Sequence, residues 1–300
     1  MFVTQLGLAD FRNYAAADLE LRPGVTVFTG RNGQGKTNLV EAVEYLATLG
    51  SHRVALDAPL IRRGAERAIV RGRVQAGLDD PRQLLLEVEI NSGRANRASL
   101  NRGPLRRPRD LLGALRVVLF SPEDLALVKG DPADRRRFLD ELVTARWPRM
   151  AGVRADYERV VKQRSSLLKS LAGRRGPLPE DASITLEFFT DQLAGLGGEL
   201  TRARLDTLRD MREAIADAYL AIAPTQDEAA VAYRSSSLTG ETNGVLEDEA
   251  SWGLEELHAR YVERARERRA EEVARGLTLV GPHRDDLVLS LGELPAKGYA

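Results

Sequence analysis

The sequence predicts an α/β P-loop fold, in which a mixed-sheet lobe holds a nucleotide and a helical lobe follows. Three observations carry that reading. Residues Gly30-Arg31-Asn32-Gly33-Gln34-Gly35-Lys36-Thr37 spell GxxxxGKT, the phosphate-loop pattern. A β-branched run, residues 25–29, precedes the loop, and an apolar stripe at helical spacing follows it. Two long amphipathic stretches then fill residues 133–222.

Each loop residue has a physical task. Glycines let successive backbone N–H groups turn inward around the β- and γ-phosphates, where a Cβ would intrude. Lys36 brings a positive charge to the same oxygens, and Thr37 offers a hydroxyl to Mg²⁺. The next helix points its positive end at the anion. Its expected face is Leu39, Val40, Val43, Leu46 and Ala47, with Gly50 at the C-terminus.

The bulk numbers set limits. The chain has 300 residues, a hydrophobic fraction of 43% and no cysteine, so it can bury a core and has neither disulfides nor a thiolate metal site. Lys+Arg 44 balances Asp+Glu 44, so any nucleic-acid surface must be local. The N-terminus lacks a signal-peptide pattern and no apolar run is long enough to span a membrane. A soluble, cytoplasmic protein is the expectation.

In chain order, residues 2–29 read as a β-meander. Val3, Leu6, Leu8 and Phe11 mark its first strand, Leu19 and Leu21 its second, and Pro23-Gly24 the turn before residues 25–29. Residues 68–74 and 84–90 are strand-like, with Glu87 and Glu89 outward, and Asn101-Arg102-Gly103 is a tight turn. Arg97, Arg102, Arg106, Arg107 and Arg109 make a basic loop, read as solvated or as an interface. Residues 117–120 and 277–280 read as buried strands, and residues 287–291 as another. Asp124 and Asp285-Asp286 sit near apolar runs as Walker B acids would. Neither fits: Ser121-Pro122-Glu123-Asp124 is a helix start, as is Asp131-Pro132-Ala133-Asp134, and Pro282 separates the later pair from its strand.

The helical region predicts an antiparallel hairpin. Val153, Tyr157, Val160, Leu167 and Leu171 repeat along one helix, with Arg164 interrupting the stripe. Residues 173–179 break it, and a second helix carries Phe189, Leu193, Leu196, Leu200 and then Leu208, Met211, Ile215, Tyr219 and Ile222. Arg154, Arg159, Lys162, Arg164 and Lys169, with Arg174 and Arg175 at the tip, make the first helix basic. That suits a solvated face or contact with a phosphate backbone. Residues 254–272 read as a charged surface helix.

The ordered motifs carry a resemblance. Asn32 inside the loop, with Arg12-Asn13 upstream, resembles the ATP-binding-cassette heads of DNA-repair and chromosome-structure ATPases. Phe11-Arg12-Asn13-Tyr14, residues 33–42, Ser51-His52-Arg53, residues 119–125, residues 136–140 and Gly281-Pro282-His283-Arg284-Asp285-Asp286-Leu287 together resemble the RecF family of bacterial recombination mediators. The resemblance runs the length of the chain. It implies an ABC-ATPase head over residues 1–130, completed by residues 277–300 and by residues beyond 300, with a helical arm over residues 131–276. It implies ATP and Mg²⁺ as cofactors, with residues 30–37, Arg12 and Asn13 at ATP and Thr37 at the metal. It further implies ATP-dependent dimerisation of the full-length protein and binding to duplex DNA and duplex/single-strand junctions, with Arg159, Lys162 and Lys169 as candidate contacts. RecO, RecR and RecA would be its partners in the SOS response, recombinational repair and replication, with weak DNA-stimulated ATPase activity in the intact family.

The family's Ser-x-Gly-Glu signature and its apolar strand ending in Asp-Asp do not occur in these 300 residues. The expectation is therefore a C-terminally truncated chain with no catalytic residue of its own. Two other readings are a non-hydrolysing nucleotide-binding scaffold and a P-loop small-molecule kinase.

Overall fold

The computed structural model describes residues 1–173, 178–223, 227–241, 244–246 and 252–298. Arg174 and Arg175 lie outside them. The chain divides into two compact units, Met1–Glu123 with Ala145–Pro148, and Asp124–Thr144 with Arg149–Ala300.

The first unit is built on strands β1 (Phe2–Phe11), β2 (Tyr14–Glu20), β3 (Arg67–Gln75), β4 (Gln83–Asn91), β5 (Arg97–Leu100) and β6 (Gly103–Pro104), with helix α1 (Lys36–Thr48). The sheet order is β2-β1-β3-β4-β5-β6. Alternation decides the faces. Leu6, Leu8, Val70, Val74, Leu86, Val88 and Ile90 are buried with Leu39, Tyr45 and Leu46 of α1. On the opposite face Arg71 pairs with Glu87, which the cross-strand register places directly opposite it, and Arg67 reaches diagonally to Glu89, since its own register partner is Asn91. Asn101 and Arg102 take positive φ in the β5–β6 turn, as the two central residues of a tight hairpin require.

Two expected strands of this unit do not form. Residues 25–29 and 117–120 are unpaired; the second run still alternates in burial, while in the first only Phe28 is partly buried. Phe28 and Val117 pack on the core, while Val25, Val27, Val118 and Phe120 are exposed. A strand needs a ladder partner as well as β-branched residues, and these find none among the described residues. Every pairing in the six-stranded sheet is antiparallel, and with α1 packed on one face the unit is the expected α/β lobe.

The second unit is mainly helical: α2 (Ala126–Lys129), α3 (Pro132–Arg146), α4 (Met150–Leu171), α5 (Glu180–Ile222), α6 (Ser236–Thr239), α7 (Leu254–Glu267) and α8 (Arg269–Arg275). At the start of α3 the Asp131 N–H donates to the Asp134 carboxylate at 3.3 Å and the Asp134 N–H to the Asp131 backbone carbonyl at 3.0 Å. Helices α4 and α5 form the expected antiparallel hairpin, with Arg149 beside Glu199 at one end and Arg164 beside Thr190 further along. Near the middle of α5, Gly197 lets Tyr157 and Pro282 approach the backbone, and Gly198 admits Leu257. No helix among the described residues is long and apolar enough to cross a membrane.

Arg164, the interruption in the α4 stripe, is 1% exposed. It donates to Glu272 at 2.6 Å, to Thr190 at 3.2 Å and to Thr278 at 3.3 Å. The charge is therefore internal glue, not part of a basic surface. Glu272 is fully buried, so the helical run expected on the surface contributes an acid to the core.

Residues 278–280 are buried and Leu277 is exposed, and the run forms no strand. Strand β8 (Asp286–Leu291) pairs with β7 (Ala229–Arg234) and with β9 (Leu294–Pro295). Strands β8 and β9 thus belong to the second unit's own sheet. Ion pairs fix them there: Asp286 accepts from Arg135 at 2.8 Å and from Arg234 at 2.6 Å. Arg204 is 2% exposed. It clasps both oxygens of Asp140 at 2.8 and 3.0 Å and donates to Tyr233 and to the Pro282 carbonyl. Tyr233 in turn donates to Asp285 at 2.8 Å. Both oxygens of Asp286 are thus taken up by arginines, while Asp285 is buried with Oδ2 held by Tyr233.

Candidate nucleotide-binding site

The site lies within the first unit, where an exposed loop meets the N-terminus of α1. Gly30, Gly33 and Gly35 have φ of 147°, 79° and 97°, a region that favours glycine. A Cβ on Gly35 would lie 2.5 Å from Asn13 Oδ1. The loop is braced from inside: Gln34 Oε1 accepts the Arg31 N–H at 3.1 Å. Asn13 braces it from outside, donating to the Gln34 carbonyl at 3.1 Å and accepting from Asn38 at 2.8 Å. Tyr14 donates to the Gly35 carbonyl at 3.3 Å.

Lys36 turns back across the loop, its Nζ 2.9 Å from the carbonyls of both Gly30 and Arg31. The charge therefore sits over the loop's mouth. Thr37 is exposed at the first turn of α1, and its hydroxyl makes no hydrogen bond among the described residues. An unengaged oxygen beside a helix N-terminus suits a hard cation that keeps most of its water. Residues 30–37 thus form one loop that runs into the first turn of α1.

Arg12 lies behind the loop. Held at φ 54°, its backbone N–H donates to the Leu60 carbonyl. Its guanidinium grips Glu41 of α1, with Nε 2.9 Å from Oε2 and Nη2 2.5 Å from Oε1, and Nη1 reaches the Pro59 carbonyl at 3.1 Å. Ser51 donates to the same Glu41 at 2.5 Å, and Arg53 bridges Glu41 at 3.3 Å and Asn38 at 2.8 Å. Burial pushes the Glu41 carboxyl up, but the hydrogen bonds from Arg12 and Ser51 and the charges of Arg12 and Arg53 outweigh it. The net pKa lies below the ordinary carboxylate value.

Glu41 is the residue that sequence reasoning missed. The apolar stripe places the buried face of α1 on Leu39, Val40, Val43, Leu46 and Ala47. The buried residues are instead Leu39, Glu41, Ala42, Tyr45 and Leu46, and Val40 is exposed. The α1 cap falls at Leu49 in the left-handed region, one residue before Gly50. The available signal was chemical: Arg12 and Ser51-His52-Arg53 all needed acids, and α1 supplies two, since His52 Nδ1 lies 2.5 Å from Glu44.

Arg159, Lys162 and Lys169 are exposed along one side of α4 in the second unit. Arg159 makes one local ion pair, with Asp156 at 3.1 Å.

The chain is similar to known proteins along its whole length. A model described as an AAA domain matches residues 5–71. The DNA replication and repair protein RecF of Cutibacterium acnes is 56% identical over 303 residues, spanning all of this chain and 77% of that protein. The protein of the same name from Streptomyces avermitilis is 54% identical over 302 residues, with the same coverage. A solved structure of the recombination mediator protein RecF with ATP superposes with a TM-score of 0.87 at 23% identity. It covers all of this chain and 75% of that one, a likeness of fold.

Proposed function

Because the chain belongs to the RecF family of DNA replication and repair proteins, we propose that it binds ATP with Mg²⁺ at residues 30–37 and serves recombinational repair through that binding. One observation carries the reading. A GxxxxGKT loop whose three glycines hold positive φ stands at the N-terminus of α1 with Lys36 across its mouth.

The roles follow from the geometry. Backbone N–H groups of residues 33–37 cradle the phosphates, and Lys36 exchanges two neutral carbonyls for anionic oxygens, a stronger charge-assisted pairing. Thr37 supplies the protein's oxygen to Mg²⁺. Asn13 sets the loop's outer edge, and Arg12 acts through Glu41 by fixing the helix that bears Lys36 and Thr37.

At the level of the pathway, ATP closes a dimer of the full-length protein on duplex DNA near single-strand gaps, and RecO and RecR then help load RecA. A ligand drives such closure only through interactions made in the closed state. Exposed cations on α4 are available to meet the phosphates.

The test is equilibrium binding of a fluorescent ATP analogue to the protein and to Lys36→Ala. Binding should be lost in the variant; unchanged affinity would remove residues 30–37 as the site.

A further inference from the structure

Within the second unit, α3, α4, α5 and the loop at His283 wall a cavity of about 220 Å³. Its charge is lopsided. Arg136, Arg137, Arg154 and Arg204 face it against two carboxylates, Asp140 and Glu158. Both carboxylates are engaged. Asp140 takes Arg204 at 2.8 and 3.0 Å, and Glu158 takes Arg154 at 2.9 Å.

His283 adds no charge to the wall. Its Nε2 lies 3.2 Å from the Thr278 carbonyl and its Nδ1 2.7 Å from the Tyr157 hydroxyl. This network assigns the proton to Nε2, with Tyr157 donating to Nδ1. Burial, with the nearby arginine charges, holds its pKa at about 4.

Arg136 is the group left over. It is half-buried, and its one hydrogen bond among the described residues runs from Nη1 to the Asp285 carbonyl at 2.7 Å. A guanidinium carries five N–H donors, and here a single neutral acceptor meets them. Burial and the neighbouring Arg204 push its pKa below the usual guanidinium value. The charges of Asp286 and Asp285 act the other way and are outweighed, and four of the five guanidinium N–H donors still lack a protein acceptor among the described residues.

We propose that this cavity binds a phosphate group, gripped by the free edge of Arg136 with Arg137 and Arg154 at its sides. Arginine forks converging from two helices match a tetrahedral oxyanion, whose oxygens accept from several directions. The volume far exceeds the space one water needs. The site shares no residue with the loop at residues 30–37, so it stands whether or not that loop binds ATP. Two sources present the same chemistry, free inorganic phosphate and the backbone of a nucleic acid.

The experiment uses the Lys36→Ala background, which removes the phosphate loop from the readout. Inorganic phosphate is titrated calorimetrically at low ionic strength, and a short labelled DNA duplex by anisotropy. At least one probe should bind saturably, weaken about tenfold or more in Arg136→Gln, and partly recover in Arg136→Lys, as expected for loss of a charge-assisted hydrogen bond. A response to phosphate marks a free-ion site; a response to the duplex alone marks a backbone site. If neither probe responds, the proposal is overturned. Arg137→Gln provides a second variant, because that side chain is 51% exposed and its loss does not disturb packing. Should Arg136→Gln not fold, unchanged binding of both probes by Arg137→Gln overturns the proposal.

Discussion

The guanidinium of Arg12 and the carboxylate of Glu41 meet edge to edge, 2.9 and 2.5 Å apart, across 29 residues of sequence. Glu41 is wholly buried, so Arg12→Ala strands a charge that Ser51 and Arg53 only partly compensate. The expected loss is about 3 kcal/mol of folding stability, read by urea unfolding. A loss under about 1 kcal/mol would show that the pair behaves as a surface one. Glu41's lowered pKa also has a sign. Its contribution is present above the ordinary carboxylate pKa of about 4.3 and is lost as pH falls through the folded value. Glu41→Gln should remove that part of the acid limb.

Gly35→Ala tests the loop alone. The backbone stands at φ 97° and the new methyl would meet Asn13, so the loop must reshape at a cost of roughly 1–2 kcal/mol. Affinity for a fluorescent ATP analogue should fall by about tenfold or more. Unaltered affinity with unaltered stability would show that the loop shape does not govern binding.

The buried pair of titrating groups near β8 predicts a compensated pH response. Burial holds His283 neutral, with a pKa of about 4 instead of 6.5. Acidification between these values protonates the unfolded chain first and lowers stability, by on the order of 3 kcal/mol. Asp285 works oppositely. Burial raises it to about 6 from 3.8, so stability is gained as pH falls through that window. Asp285→Asn should therefore steepen the loss of stability between pH 6 and 4. Equilibrium unfolding at several pH values reads this, and a parallel profile for the variant would refute it.

Charge reversal of Arg159, Lys162 and Lys169 addresses the arm. If they touch backbone phosphates, duplex binding weakens alike at all sequences, and the log–log salt slope flattens by about 0.9 for each phosphate no longer neutralised. An unaltered slope returns α4 to a solvated helix.

Local chemistry made much of this molecule readable. The GKT loop, the first two strands, the Asn101-Arg102 turn, the helix start at Asp131 and the α4–α5 hairpin each depend on neighbours in sequence. What escaped depends on distant partners. Residues 25–29 and 117–120 carry strand composition but no ladder. Arg164 and Glu272 look like surface charges because their partner lies 108 positions away. Glu41 sits in an apolar stripe that rotates to bury it. The Gly281-Pro282-His283-Arg284-Asp285-Asp286 run is a recognisable pattern whose work, accepting Arg204, Tyr157, Tyr233, Arg135 and Arg234, appears only in three dimensions.

Helix α5, at 43 residues, is a rod of about 65 Å, and Gly197 and Gly198 stand near its midpoint. With Tyr157 and Pro282 pressed on one flank and Leu257 on the other, that point is a fulcrum. A tilt of about 5° there carries each tip through roughly 3 Å, by the helix rise alone. A methyl at Gly197, 3.2 Å from both Pro282 and Tyr157, would be magnified at the ends of the lever.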